Sequence, residues 1–125
     1  MIVGFPPGGA ADLHARAIAK GLGERLRKPV IVENRAGAGG RLAANLAARA
    51  NPDGYTLFLA NVSSLVIYPT LHSNVQYDPY RDFVPISITT ELPFLLVVPS
   101  STPIKNMTDW VNYFRANSDR STYAS

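Results

Sequence analysis

Three times between Ile2 and Leu71 the chain passes from a short apolar or β-branched run through a tight corner into a second segment. Ile2 to Phe5 gives way to "PPGGAAD", then to a helix expected from about Ala10 to Arg27, with Leu13, Ala17 or Ile18, Leu22 and Leu26 at helical spacing. Lys28 and Pro29 stop that helix. Val30, Ile31 and Val32 form the second run, and "NRAGAGG" turns it into a helix whose apolar face reads Leu42, Ala43, Leu46, Ala47 and Ala50. "NPDGY" closes the second helix with turn residues. Thr56 to Ala60 is the third run, followed by "NVSS" and a segment through Leu71 whose type the pattern leaves open. Parallel strands need a connection of a dozen or more residues, so this alternation predicts an α/β fold with a parallel sheet and crossover helices.

In such a sheet, ligands bind beyond the carboxyl ends of the strands. Three corners are expected to gather there: Pro6 to Asp12, Arg35 to Gly40, and Asn61 to Ser64. Pro6, Pro7, Gly8 and Gly9 make the first so tight that backbone N–H groups are left free at a helix start, where the helix dipole favours an anion. Glycine and proline are also what any tight turn requires, so a structural turn and an anion site both remain open. Asp12, in the first helical turn, complements the dipole or fastens the loop, a role preferred here to direct ligand contact.

A chain of 125 residues with 46% hydrophobic content is enough for one core. Its 12 basic and 9 acidic residues are scattered, which argues against a nucleic-acid groove or a polybasic membrane patch. Cysteine is absent, so disulfides, thiolate zinc sites and cysteine nucleophiles are excluded. Pro93 and Pro99 break the longest apolar stretch, so none is long enough to span a bilayer as a helix. No signal peptide is recognisable, although Met1 abuts a run that reads as the middle of an element, as it would if an export signal had been removed.

Past Tyr77, "YDPYRDFVPI" is turn-rich, and Val84 to Thr90 and Phe94 to Val98 read as extended runs separated by Leu92 and Pro93. Ser100 to Pro103 marks a junction. An amphipathic helix follows, with Met107, Trp110, Val111 and Phe114 on one stripe, Asn106 as N-cap and Asp109 three residues on. Trp110 is read as core. A last strand is expected to begin at Thr122.

Sharper motifs fail. No glycine is followed by Lys and a hydroxyl residue, which excludes a P-loop, and "GAGGRL" puts Leu42 where a dinucleotide fingerprint needs its third glycine. His14 reads as helix surface and His72 as loop, with no carboxylate at a metal-ligand spacing from both. Ser63 and Ser64 lack the G-x-S-x-G elbow of a nucleophile and are read instead as ligand-binding hydroxyls and amides. No catalytic residue, metal or cofactor is expected.

The succession "VGFPPGGAAD", "KPVIVENRAGAGG", "ANPDGYTLFLA", "YDPYRDFVPIS", "LLVVPSSTPIKNMTDWV" and "YAS" resembles the N-terminal part of the Bug family, the extracytoplasmic solute receptors of tripartite tricarboxylate transport systems. The resemblance runs the length of the chain. It implies an incomplete type II periplasmic-binding-protein (Venus flytrap) fold, with residues 1–99 as the N-terminal part of a parallel-sheet, three-layer first lobe and residues 100–125 as the crossover and beginning of the second. It also implies a periplasmic protein that is not an enzyme. The expected ligand is a small organic acid, whether dicarboxylate, tricarboxylate or amino acid, delivered unchanged to membrane transporter subunits. Carried over by position, the ligand-binding residues are Phe5, Gly8, Gly9, Ala10, Ala11 and Asp12 in the first loop and Asn61, Ser63 and Ser64 in the third. Tyr123, Ala124 and Ser125 begin the second-lobe loop. Gly37 to Gly40 matches the family too, read as a structural turn first. The chain stops where the second lobe would continue, so half the cleft is expected to be missing and an unpaired sheet edge invites self-association. The alternative from the residues alone is a Rossmann-like nucleotide-binding or enzyme domain with a phosphate-binding glycine-rich loop.

Overall fold

The computed structural model describes residues 1–91, 93 and 95–117. The chain divides into two compact units, Met1–Ile86 and a second beginning at Ser87.

The first unit is built on three parallel strands in the order β2-β1-β3, where β1 is Ile2–Val3, β2 is Glu33–Asn34 and β3 is Phe58–Leu59. Ile2 and Val3, in the central strand, are both buried, as a parallel strand covered by its crossover helices requires. The crossovers are α1 (Ala10–Leu26) and α2 (Arg41–Ala48). The α/β class and parallel sheet expected from the alternation are present.

The strands are shorter than their apolar runs. Ile2 pairs with Glu33 and Val3 with Asn34, so Val30–Val32 precede the ladder. Beside that run the Met1 amino group donates to the Ile31 carbonyl at 2.6 Å.

Each helix buries small residues rather than its large apolar ones, although Ala43, on the face expected for α2, is buried as expected. In α1 the buried residues are Asp12, Ala15 and Ala19, while Leu13 and Leu26 are exposed. In α2, Ala43 and Ala44 are fully buried and Leu42 and Leu46 are exposed. Small side chains let a helix axis approach a narrow sheet closely, and two-residue strands leave little surface for a leucine stripe to cover. Helix α1 ends at Arg27, in the left-handed region at φ 52, with its N–H returning to the Gly23 carbonyl.

After β3, Val62 to Leu71 is helical, as a π-helical segment Ser63–Ile67 running into α3 (Tyr68–Leu71). This resolves the segment that the pattern left open. The following turn is tied by Asp78, whose Oδ1 accepts the Tyr80 and Arg81 amides, and by Asp82, whose Oδ2 accepts the Asp78 amide at 2.8 Å. Tyr77, buried, packs edge-on against Phe83, whose ring lies 5.8 Å from that of Phe58 on β3.

The second unit contains α4 (Met107–Ala116). Asn106 caps it as expected: its Oδ1 accepts the Asp109 amide at 3.0 Å, and Asp109 reaches back to the Lys105 amide. Trp110 is half-buried, with its ring 4.6 Å from Phe114. The runs expected to be extended at Val84 to Thr90 and Phe94 to Val98 carry no strand ladder among their described residues, and Val84, Ile86, Ile88, Leu95 and Val97 are exposed. Leu92, Phe94 and the strand expected at Thr122 lie outside the described residues. Among the described residues, no helix is long and apolar enough to cross a membrane.

Candidate functional site

The corners following the three strands meet at the carboxyl end of the sheet. A Cβ added to Gly4, directly after β1, would come within 2.7 Å of the Gly40 Cα. One added to Gly40 would come within 3.0 Å of Asn61 Oδ1 and 3.6 Å of Ser64 Cβ. The glycines are thus what allows the first, second and third corners to close on one another. The second corner is unusual in handedness: Gly37, Ala38, Gly39 and Gly40 all have positive φ, at 135°, 48°, 63° and 92°. A left-handed run of this kind is accessible to glycine without a Cβ penalty.

In the first corner, Gly8 sits at φ +80 and its amide donates to Asp12 Oδ2 at 2.9 Å. The same oxygen accepts Arg16 Nε at 2.9 Å, and Oδ1 accepts Asn34 Nδ2 at 2.9 Å. Asn34 Nδ2 also donates to the Phe5 carbonyl at 3.1 Å. Asp12 is 2% exposed, and the Arg16 guanidinium, the Gly8 amide and the Asn34 amide hold its carboxyl well below the usual carboxylate range. Asp12 is therefore the fastener of the loop, and the Gly8 amide is spent within the protein.

The amides beyond Gly8 are placed differently. Gly9 is the N-cap of α1 with no side-chain cap, and the first helical bond runs from the Leu13 amide to the Gly9 carbonyl at 3.0 Å. The N–H groups of Ala10 and Ala11 thus precede the first intrahelical donor, the Leu13 amide. Gly9 and Ala10 are exposed and Ala11 is half-buried. Phe5 is half-buried, with its carbonyl engaged by Asn34.

In the third corner Asn61 caps the helix that follows, accepting the Ser64 amide on Oδ1 at 3.3 Å and the Ser64 hydroxyl on its carbonyl at 3.0 Å. Ser64 is fully buried, and its own carbonyl accepts the Tyr77 hydroxyl. Ser63 is half-buried and, among the described residues, its hydroxyl has no hydrogen-bond partner. Tyr123, Ala124 and Ser125 lie outside the described residues. The structure thus brings Phe5, Gly8 to Asp12, Asn61, Ser63 and Ser64 to one end of one sheet, with Gly8, Asp12 and Ser64 serving the corner itself.

Sequence reasoning missed Asn34. A single Asn after a β-branched run reads as an ordinary turn residue, and its partners lie 22 and 29 positions away. Arg41, which opens α2, is also new: its guanidinium lies 4.9 Å from the centre of the Tyr68 ring, and Tyr68 stacks on His72 at 4.3 Å. Among the described residues, no three or more His, Asp or Glu side chains gather as a metal site. A separate groove of ≈790 Å³ lies between α1 and Lys28–Val32, and no corner residue lines it.

Residues 14–125 match the family described as tripartite tricarboxylate transporter family receptor. The protein BugT of Bordetella pertussis is 43% identical over 98 residues, which are 78% of this chain and 30% of that protein. Among solved structures, MatC from Rhodopseudomonas palustris with bound malate is 34% identical with a TM-score of 0.73, over 92% of this chain and 40% of that one. The periplasmic binding protein BugD is 34% identical with a TM-score of 0.66, over 94% of this chain and 39% of its own. The chain spans between 30% and 38% of the length of the curated relatives it matches.

Proposed function

The chain belongs to the tripartite tricarboxylate transporter receptor family, and from that premise we propose that it acts in the extracytoplasmic capture of a small organic carboxylate. The observation that carries the reading is the first corner. Its uncapped α1 amides stand on a loop fastened by Asp12 at the edge where three corners meet. Backbone donors at a helix start suit a carboxylate that has to be released again, because they bind through hydrogen bonds and the dipole without a fixed cation.

In this reading Gly9, Ala10 and Ala11 meet one ligand carboxylate, Asn61 and Ser63 face it from the third corner, and Phe5 borders it. Residues 1–99 serve as part of a first lobe and residues 100–125 as the crossover toward a second, whose closure buries the ligand. The malate held by MatC supports a dicarboxylate as the ligand class, and the periplasmic BugD supports a periplasmic location. The ligand is handed on unchanged to membrane subunits, with no catalysis. A nucleotide-binding reading is not favoured, since the glycine corner lacks the Lys that would follow it in a phosphate loop.

The test is a ¹⁵N NMR titration of the chain with malate, with the neutral malate diamide as control. Amide shifts at Ala10 and Ala11 caused by malate alone are expected. Unmoved amides up to about 20 mM, well past a millimolar dissociation constant, would overturn the reading.

A further inference from the structure

Asn34 stands on β2, outside the corner that the proposed function uses, yet it makes the bonds that join that corner to the sheet. Nδ2 gives one hydrogen to the Phe5 carbonyl at 3.1 Å and the other to Asp12 Oδ1 at 2.9 Å, while Oδ1 accepts Arg16 Nη2 at 3.3 Å. Phe5 and Asp12 bracket the Pro6 to Ala11 stretch. A backbone carbonyl and an ionised carboxylate can only accept, and a guanidinium can only donate, so these partners admit the amide in one orientation alone. An aspartate here would set two carboxylates against each other and leave the Phe5 carbonyl without its donor. An alanine would remove both donors without adding charge.

We propose that Asn34 is the positioning residue of the carboxylate-binding corner: by bridging Phe5 to Asp12 it fixes the direction in which the Ala10 and Ala11 amides face. The inference rests on the carboxylate-capture reading for its consequence, but its geometry is independent of any ligand. The charged and titratable groups facing Asn34 are Asp12 and Arg16, both from α1. Glu33 and Arg35, its neighbours along the chain, point to the opposite side by the alternation of extended backbone, and they pair with each other. His14, two positions beyond Asp12, lies off that helix face.

The experiment compares the wild-type chain with Asn34→Asp and Asn34→Ala by two NMR readouts. The first is exchange of the Gly8 amide from pH 8 to pH 5 without ligand, corrected for intrinsic rate. Asn34→Asp is expected to speed it by about tenfold at pH 7, with protection returning as the pH falls, because one proton shared between the two carboxyls restores a donor. Asn34→Ala is expected to speed exchange at every pH. Equal protection in all three chains overturns the proposal, and so does a pH profile for Asn34→Asp that parallels that of Asn34→Ala. The second readout is the malate titration at pH 7. Shifts of Ala10 and Ala11 present in wild type and lost in Asn34→Asp support the proposal. Shifts equal in both overturn it and leave carboxylate capture standing. Absence of shifts in wild type overturns carboxylate capture, and the exchange profiles then decide the positioning role alone. If Asn34→Asp is unfolded at pH 7 by circular dichroism, Asn34→Ala decides: faster Gly8 exchange supports the proposal and unchanged exchange overturns it.

Discussion

The Gly40 Cα occupies the place where a side chain on Gly4 would begin: a Cβ built on Gly4 comes to 2.7 Å from it. Backbone, unlike the end of a flexible side chain, cannot swing aside. Gly4→Ala is therefore expected to destabilise the first unit by about 1–3 kcal/mol, the usual range for overpacking, as measured by urea unfolding. A midpoint equal to wild type would show that the first two corners do not close as described.

The Asp12 fastening should be visible in the pH dependence of stability. The folded carboxyl lies below its ordinary value of 3.8, so the unfolded chain takes up the proton first as the pH drops. The contribution of Asp12 is complete above that value and is lost progressively below it, until the folded carboxyl itself protonates. Asp82, held by Arg81 and the Asp78 amide, shifts in the same direction. Asp12→Asn is expected to lower the melting temperature by about 4 °C or more at pH 6 and to flatten the fall between pH 4 and pH 2. Parallel wild-type and variant curves over that range would count against the fastening.

The Tyr77 hydroxyl donates to the Ser64 carbonyl from a buried position. Tyr77→Phe is expected to cost about 1 kcal/mol in chemical denaturation. Burial also raises the phenol above its ordinary 10.0, so its contribution persists below that pH and is lost as alkali forces ionisation. In a spectrophotometric titration, the difference between wild type and Tyr77→Phe should be a phenol that ionises above 10.0. A difference centred at or below 10.0 would contradict this.

In the second unit, Asn106→Ala removes the cap of α4, whose Oδ1 accepts the Asp109 amide. The expected loss is about 1 kcal/mol of helix stability, read as faster exchange of the Asp109 amide and a smaller signal at 222 nm. Unchanged exchange would mean that the cap contributes nothing.

The alternation of short β runs and helices was legible because its period and punctuation are local properties of neighbouring residues, and so was the Asn106 cap, whose partners lie within three positions. The buried face of α1 was not, and that of α2 was legible only through Ala43. Periodicity locates the large apolar residues Leu13, Leu26, Leu42 and Leu46, whereas the close approach of helix to strand selects Ala15, Ala19 and Ala44 beside the expected Ala43. The corners were placed correctly by resemblance and pattern together, but the division of labour within them depended on long-range bonds. Nothing local distinguishes the Gly8 amide, turned onto Asp12, from those of Ala10 and Ala11.

The left-handed run from Gly37 to Gly40 includes one residue, Ala38, that carries a side chain at φ 48. For an amino acid of natural chirality that conformation is uphill by roughly 1–2 kcal/mol. For its mirror image a positive φ is the ordinary sign. A chemically synthesised chain with D-alanine at position 38 should therefore be the more stable of the two, an inversion of the rule that governs nearly every other residue in the molecule.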